Sequence, residues 1–215
     1  MTTNAAAAAG AIGAMLTVWL TNKKPDVSMT LNGVLAGLVA ITAPCPWVSV
    51  SSALIIGALA GVIVILAASW IEKSRTDDPV GAVAVHGVCG AFGTLCVGLF
   101  SQGDAFGTAG PGMGLLFGGG VGQLLIQAIG VGAVFAWATV MGVVLFSIIK
   151  AVNGLRVTPE EEAEGLDIGE HGAAAYPNFA TRDTVTADIG APPGSVPAHI
   201  AVPQPAMGTL PPFGM

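Results

Sequence analysis

The chain has 215 residues, a net charge of −6, and 9% charged residues beside 53% hydrophobic ones, where a soluble domain carries about a quarter charged residues. Too few polar side chains are present to cover a water-soluble globule of this size, so the composition excludes one and points to a bilayer. The charge is also divided: residues 1–150 are neutral overall, and the acidic surplus lies in 151–215, leaving no basic face for nucleic acid.

In chain order, a first apolar span at about 4–20 closes on Lys23-Lys24-Pro25-Asp26, and a second at about 28–42 ends on Ala43-Pro44-Cys45-Pro46. The third, about 50–71, stops at the charged run Glu72-Lys73-Ser74-Arg75-Thr76-Asp77-Asp78-Pro79. Pro79 suits a helix start, so the fourth span is expected from there to Phe100, followed by a polar, Gly-rich loop at 101–111. The fifth run, 112–149, would be about 57 Å long as one helix against a hydrocarbon core of about 30 Å. It must tilt, protrude, or begin after Gly118-Gly119-Gly120. Met1-Thr2-Thr3-Asn4 enters the first span without a targeting segment or charged flank, which reads as a chain whose upstream part has been removed.

Basic residues set the orientation. Lys23 and Lys24 follow the first span, Lys73 and Arg75 the third, and Lys150 and Arg156 the fifth, while the loops at 43–49 and 101–111 have none. This alternation places the N-terminus outside, the C-terminus in the cytoplasm, and the chain in the cell (inner) membrane. Small residues four apart, Gly33/Gly37, Gly57/Gly61, Gly90/Thr94/Gly98 and Ala128/Gly132/Ala136, allow close helix packing in lipid. The three cysteines, Cys45, Cys89 and Cys96, lack CxxC spacing and read as small apolar residues. After the spans, Thr158 reads as a helix N-cap with Pro159 in the first turn and glutamates facing the dipole. From Pro177 on, eight of the 14 prolines fall in the last 39 residues, which predicts disorder.

Cysteine thiols aside, His86 is the only ionisable group inside an expected span, about 10 Å from the span's cytoplasmic start at seven residues' depth. Such groups usually face a lumen or a partner; the alternative is a neutral imidazole bonded to a backbone carbonyl. In a regular helix its neighbours Ala82, Val83, Cys89 and Gly90 are small or of middle size, leaving room for a narrow passage. At the outer end of the second span, Thr42 with Trp47 could bind a small cation, although Trp47, Trp19 and Trp70 also suit interfacial anchors.

Several motifs in order carry a family resemblance. Asn32-Gly33-Val34-Leu35-Ala36-Gly37-Leu38-Val39-Ala40-Ile41-Thr42, Ala53-Leu54-Ile55-Ile56-Gly57, Asp77-Asp78-Pro79 leading to Val85-His86-Gly87-Val88-Cys89-Gly90, and Gly154-Leu155-Arg156-Val157 with Glu164-Gly165-Leu166-Asp167 and His171-Gly172 resemble the ammonium transporter (Amt/Mep/Rh) family over about residues 1–176. The resemblance implies eleven spans in two inverted repeats plus a long tilted eleventh, a homotrimer with one pore per subunit, and five spans here matching the seventh to the eleventh. It makes His86 the second of the twin pore histidines and Thr42 the hydroxyl lining the outer ammonium site. It also implies that 154–176 couples subunits and, in many bacterial members, contributes to binding a PII-type signalling protein. The first pore histidine, the acidic residue of the outer site, the cation-binding tryptophan and the gate phenylalanines would all lie in spans this sequence lacks.

The expectation is therefore an all-α, polytopic transmembrane helix bundle of about five spans at 1–150, a cytosolic region at 151–176, and a disordered Pro-rich tail at 177–215. The expected function is ammonium/ammonia transport as the C-terminal portion of a transporter, inactive alone. A non-conducting membrane protein that interacts through its acidic tail is the alternative. No cofactor, metal or enzymatic role is expected, because one buried histidine without a nucleophile or acid–base partner carries no reaction.

Overall fold

The protein is described by a computed structural model over residues 1–104, 107, 109–164 and 166–171. The tail at 177–215 lies outside the described residues. The chain divides into two compact units, Met1–Ala151 and Val152–Met215.

In the first unit, α1 runs Thr2–Asn22, α2 Val27–Thr42, α3 Val50–Lys73, α4 Val83–Phe100 and α5 Gly122–Val152. Four of these are long and apolar enough to cross a membrane, whereas α2, with 16 residues, is shorter. The described residues contain no strand beyond an isolated bridge between Gln102 and Met113. Asp26 starts α2 by accepting from the Met29 amide at 2.7 Å, and Ser49 starts α3 by accepting from Ser52 at 3.3 Å. Both are ordinary N-caps that satisfy otherwise orphaned amides.

Packing centres on one strip of α1. Ala6, Gly10 and Ala14 are buried, with Gly33 and Gly37 of α2 on one side and Gly57 and Gly61 of α3 on the other. The space a side chain on Gly37 or Gly57 would need is taken by the Ala6 carbonyl, and on Gly33 or Gly61 by the Gly10 carbonyl. These contacts make α1 antiparallel to α2 and parallel to α3, three backbones drawn together as small-residue packing in lipid requires. The predicted rows on α2 and α3 are thus contact rows. Their partner row on α1 escaped the sequence reading.

α4 adds to this trio alongside α2 in the same direction: Asn32 meets Gly81, Val39 meets Gly90, and Ala40 meets Gly93. The largest fully buried side chains are Ile41, Ile56, Val18, Val64 and Val85. At the far end, the turn Cys45–Trp47 is tied to the 101–114 loop by Gln102 N–H donating to the Trp47 carbonyl (2.8 Å) and the Trp47 indole donating to the Ala109 carbonyl (3.3 Å). Cys45 is more than an apolar filler, because the hydroxyls of Thr2 and Thr3 approach its sulfur at 3.1 and 3.4 Å. Those hydrogen bonds hold its thiol below the ordinary value and tie the start of α1 to the turn.

One expected boundary holds in one of its offered forms and another does not. The fifth run begins after the glycines: Gly118 and Gly120 take positive φ values of 88° and 72°, and α5 starts at Gly122. Its 31 residues still reach about 46 Å. No residue of its span window is buried, and its apolar side chains point all round the circumference, the pattern of a helix meant for lipid or other helices. Its start approaches α4 closely, Leu124 against Gly98, while Gly130, Gly132 and Gly142 face open space. The row Ala128/Gly132/Ala136 is open, with nothing within reach of a side chain added at Gly132.

The fourth span does not begin at Pro79. Asp78, Pro79, Val80 and Gly81 form a turn closed by Gly81 N–H to the Asp78 carbonyl at 3.0 Å, with Gly81 at φ 72°. Proline fits the second position of such a turn as well as a helix start, and here the turn wins. Helical structure then opens as a π-helical turn, Val83–Val88, before the regular helix Cys89–Phe100.

The second unit holds two short helices, α6 (Pro159–Glu164) and α7 (Leu166–His171). Thr158 caps α6 as expected. Glu161 accepts from the Thr158 amide and hydroxyl, both at 2.9 Å, while the Glu161 amide donates to the Thr158 hydroxyl at 3.3 Å. This reciprocal capping box lowers the Glu161 carboxyl below its ordinary value, chiefly through the Thr158 amide.

Candidate functional site

Both predicted site residues are exposed. His86 lies in the π-helical turn of α4 and is exposed, its side chain making no hydrogen bond with another described residue. Its imidazole can therefore both donate and accept without competition. Thr42 is the last residue of α2 and also exposed; its hydroxyl donates to the Leu38 carbonyl at 2.7 Å. That back-bond occupies its proton and leaves the oxygen lone pairs to accept from a donor such as an ammonium N–H.

The register of α2 against α4 gives their separation. Val39 faces Gly90, Thr42 is three residues beyond Val39, and His86 is four before Gly90. They are therefore about 10 Å apart along the bundle, at 1.5 Å per residue. They stand at two levels along parallel helices, not in a single contact.

The expected neighbours of His86 need correction. Ala82 and Val83 share its exposed side, but Cys89 is buried, its thiol directed at the Ala60 carbonyl of α3 at 3.7 Å. Gly90 packs near Val39. The residues exposed with His86 are Gly87 and Val88, because the π turn changes the angular step between positions. Trp47 is half-buried with its indole N–H committed to the Ala109 carbonyl, which fits an anchor of the loop.

Two residues that position the site were missed. The Asp78 carboxylate accepts from the Val83 amide (3.2 and 3.1 Å) and the Ala84 amide (3.3 Å), fixing the start of the π turn. Asn32 donates its side-chain amide to the Val80 carbonyl at 3.5 Å, beside Gly81. The signal was an aspartate four residues before an apolar run, masked by the proline after it. Near this end a cleft of about 870 Å³ is lined by Asn22, Asn32, Ser69, Arg75 and Asp77 among others. Among the described residues, no three His, Cys, Asp or Glu side chains are grouped to hold a metal.

Residues 1–176 match the profile of the Ammonium Transporter Family. The chain belongs to that family. Among relatives of this ammonium transporter family member, the ammonium transporter Amt2 of Archaeoglobus fulgidus is 51% identical over 185 residues, covering 85% of this chain and 39% of that protein. The ammonium transporter Amt1 of Haloferax mediterranei is 42% identical over 172 residues, 80% of this chain and 31% of its own length. Among solved structures, a sensor Amt protein superposes with a TM-score of 0.70 at 42% identity, over 79% of this chain and 40% of that one. Saccharomyces cerevisiae Mep2 follows with a TM-score of 0.64 at 29% identity, over 74% and 37%. The chain thus spans about a third to two fifths of the length of these proteins, of which the two archaeal relatives are named as ammonium transporters.

Proposed function

We propose that this chain supplies one wall of an ammonium/ammonia path, with Thr42 at its outer station and His86 deeper along it. The observation that carries this reading is the exposure of both residues along parallel helices of an ammonium transporter family member. An exposed imidazole on an apolar helix is costly against lipid but suits a passage that a second wall closes. Ammonium is bound by acceptors at the mouth, gives up its proton to solvent water there, and crosses the apolar part as ammonia beside the His86 imidazole, so that no unpaired charge is buried.

Orientation follows the basic residues. α1 and α3 run parallel, so Lys23, Lys24, Lys73 and Arg75 gather at one end, which we assign to the cytoplasm, with the N-terminus outside. The working assembly is a homotrimer in the cell membrane, and the region from residue 151 to 176 is its cytosolic coupling segment, in reach of a PII-type signalling protein.

A path needs its second wall, and the described residues offer none opposite His86. The chain alone is therefore non-conducting, whereas the same chain fused behind the N-terminal spans of a full-length relative conducts. Growth on low ammonium of cells lacking their own ammonium transporters tests both arms. Robust uptake by the isolated 215-residue chain would overturn the single-wall reading.

A further inference from the structure

We infer that the π turn Val83–Val88 is a register device whose effect is to rotate His86 off the packed stripe of α4 and onto the open face. The buried positions of α4 beyond the turn are Cys89, Gly93, Cys96, Val97, Gly98 and Phe100; all but Gly98, which meets Leu124 of α5 instead, lie within about 60° of Gly93, as one face of a regular helix requires. Gly93, against the Ala40 backbone, lies near the middle of that stripe.

Continuing the same helix backwards puts position 86 seven residues before Gly93, about 700° away, and so only about 20° off the stripe. Position 84, nine residues before, would fall about 900° away, on the opposite side. The structure has the reverse: Ala84 is 0% and Val85 2% exposed, whereas His86 is exposed. A turn with i→i+5 bonding, seen in the Cys89 N–H donating to the Ala84 carbonyl, inserts one extra residue and advances the stripe to 84 and 85. Without it, the imidazole would stand on the same side of α4 as Gly93, two turns nearer its start, and face the packed helices instead of the open side.

The turn is held at both ends. Asp78 binds the Val83 and Ala84 amides at its start, and Cys89 is fixed on Ala60 at its end. Two backbone-level anchors thus bracket a single misfit residue, and His86 is the polar side chain that the misfit turns outward. The functional weight of this assignment rests on His86 lining the proposed path, but its geometry does not.

The test reads geometry alone. In a chain carrying Cys45→Ser, with the buried Cys89 and Cys96 kept as fold controls, Ala84→Cys and His86→Cys are treated with a small methanethiosulfonate reagent in detergent and weighed. The expected result is one added label on His86→Cys and none on Ala84→Cys. The opposite pair, labelling of both, or labelling of neither with Cys89 and Cys96 still protected overturns the π-turn assignment while leaving the transport reading to its own uptake experiment. If a variant exposes Cys89 or Cys96, the unsubstituted chain decides. Diethyl pyrocarbonate is expected to modify His86 there, and protection of His86 while the exposed His171 reacts overturns the assignment.

Discussion

The carboxylate of Asp78 accepts the backbone amide of Val83 with both oxygens, at 3.2 and 3.1 Å. Five residues separate them, so the carboxylate reaches over the turn containing Pro79 and Gly81 to satisfy the first amides of α4. A helix start left without such a partner carries orphaned donors, and here those donors sit at the entrance to the turn that carries His86.

Asp78→Ala should accordingly destabilise the start of α4 by about 1 kcal/mol, within about 0.5–2 for lost caps. Asp78→Asn, which keeps an acceptor oxygen, should lose less. Hydrogen exchange in detergent micelles measures it: the amides of Val83 and Ala84 should exchange faster in the alanine variant while those of α1 stay protected. Unchanged exchange at both positions would remove Asp78 from its capping role.

Close packing around α1 gives a second expectation. Gly61→Val and Gly37→Val each place a side chain where the Gly10 or Ala6 carbonyl already sits, and overpacking of this kind costs about 1–3 kcal/mol or more. Gly132→Val meets nothing in this chain and should leave thermal unfolding of the isolated bundle near the wild-type midpoint. A melting point insensitive to Gly61→Val would contradict the α1–α3 contact.

The capping box of α6 gives a pH dependence. Glu161 is held below its ordinary value of 4.5 by the Thr158 amide and hydroxyl, so its folded pKa is depressed. Its contribution is therefore present above the unfolded pKa and lost as pH falls through the folded one. Carboxyl and amide NMR shifts of Glu161 and Thr158 should move together on acidification. Glu161→Gln, which still fits the box, should remove that titration and keep the cap.

How far these features could be read in advance varies with their physical cause. The stops after Asn22, Thr42 and Lys73 were legible because charges and prolines interrupt long apolar runs. The opening of α5 was legible because three glycines precede it. The strip Ala6, Gly10 and Ala14 was hidden inside a run of alanines, where every position looks equally small. The π turn was invisible for a different reason: one inserted residue leaves composition and hydropathy unchanged, and a periodicity of 3.6 assumed throughout puts His86 and Cys89 on one side. The bond from the Cys89 amide to the Ala84 carbonyl and the burial of Ala84 and Val85 reveal the shift.

Orientation and tail lend themselves to one accessibility study. A cysteine at the exposed position 104, in a Cys-free background, should label from outside, and labelling only from the cytoplasmic side would reverse the proposed topology. Proteolysis of inside-out vesicles should remove much of 177–215 quickly and leave 154–170 longer, an order expected from the proline-rich, aromatic-poor composition. Equal lifetimes would contradict it.

The most direct reading of the wall comes from its two stations in a transport-competent fusion. The His86 side chain makes no hydrogen bond with the described residues and is exposed, so His86→Ala removes little packing. Assembly should persist while transport is altered or lost, by a factor set by the polar contact forfeited as ammonia passes. Thr42 differs because its oxygen can only help recruit the cation at the mouth, its proton being committed to Leu38. Losing one such acceptor costs about 0.5–1.5 kcal/mol, so Thr42→Val should weaken apparent affinity by roughly twofold to tenfold with the maximal rate nearly preserved. Uptake curves across ammonium concentrations separate the two effects. A Thr42→Val variant that loses rate without losing affinity, or a His86→Ala variant that transports normally, would take that residue off the wall.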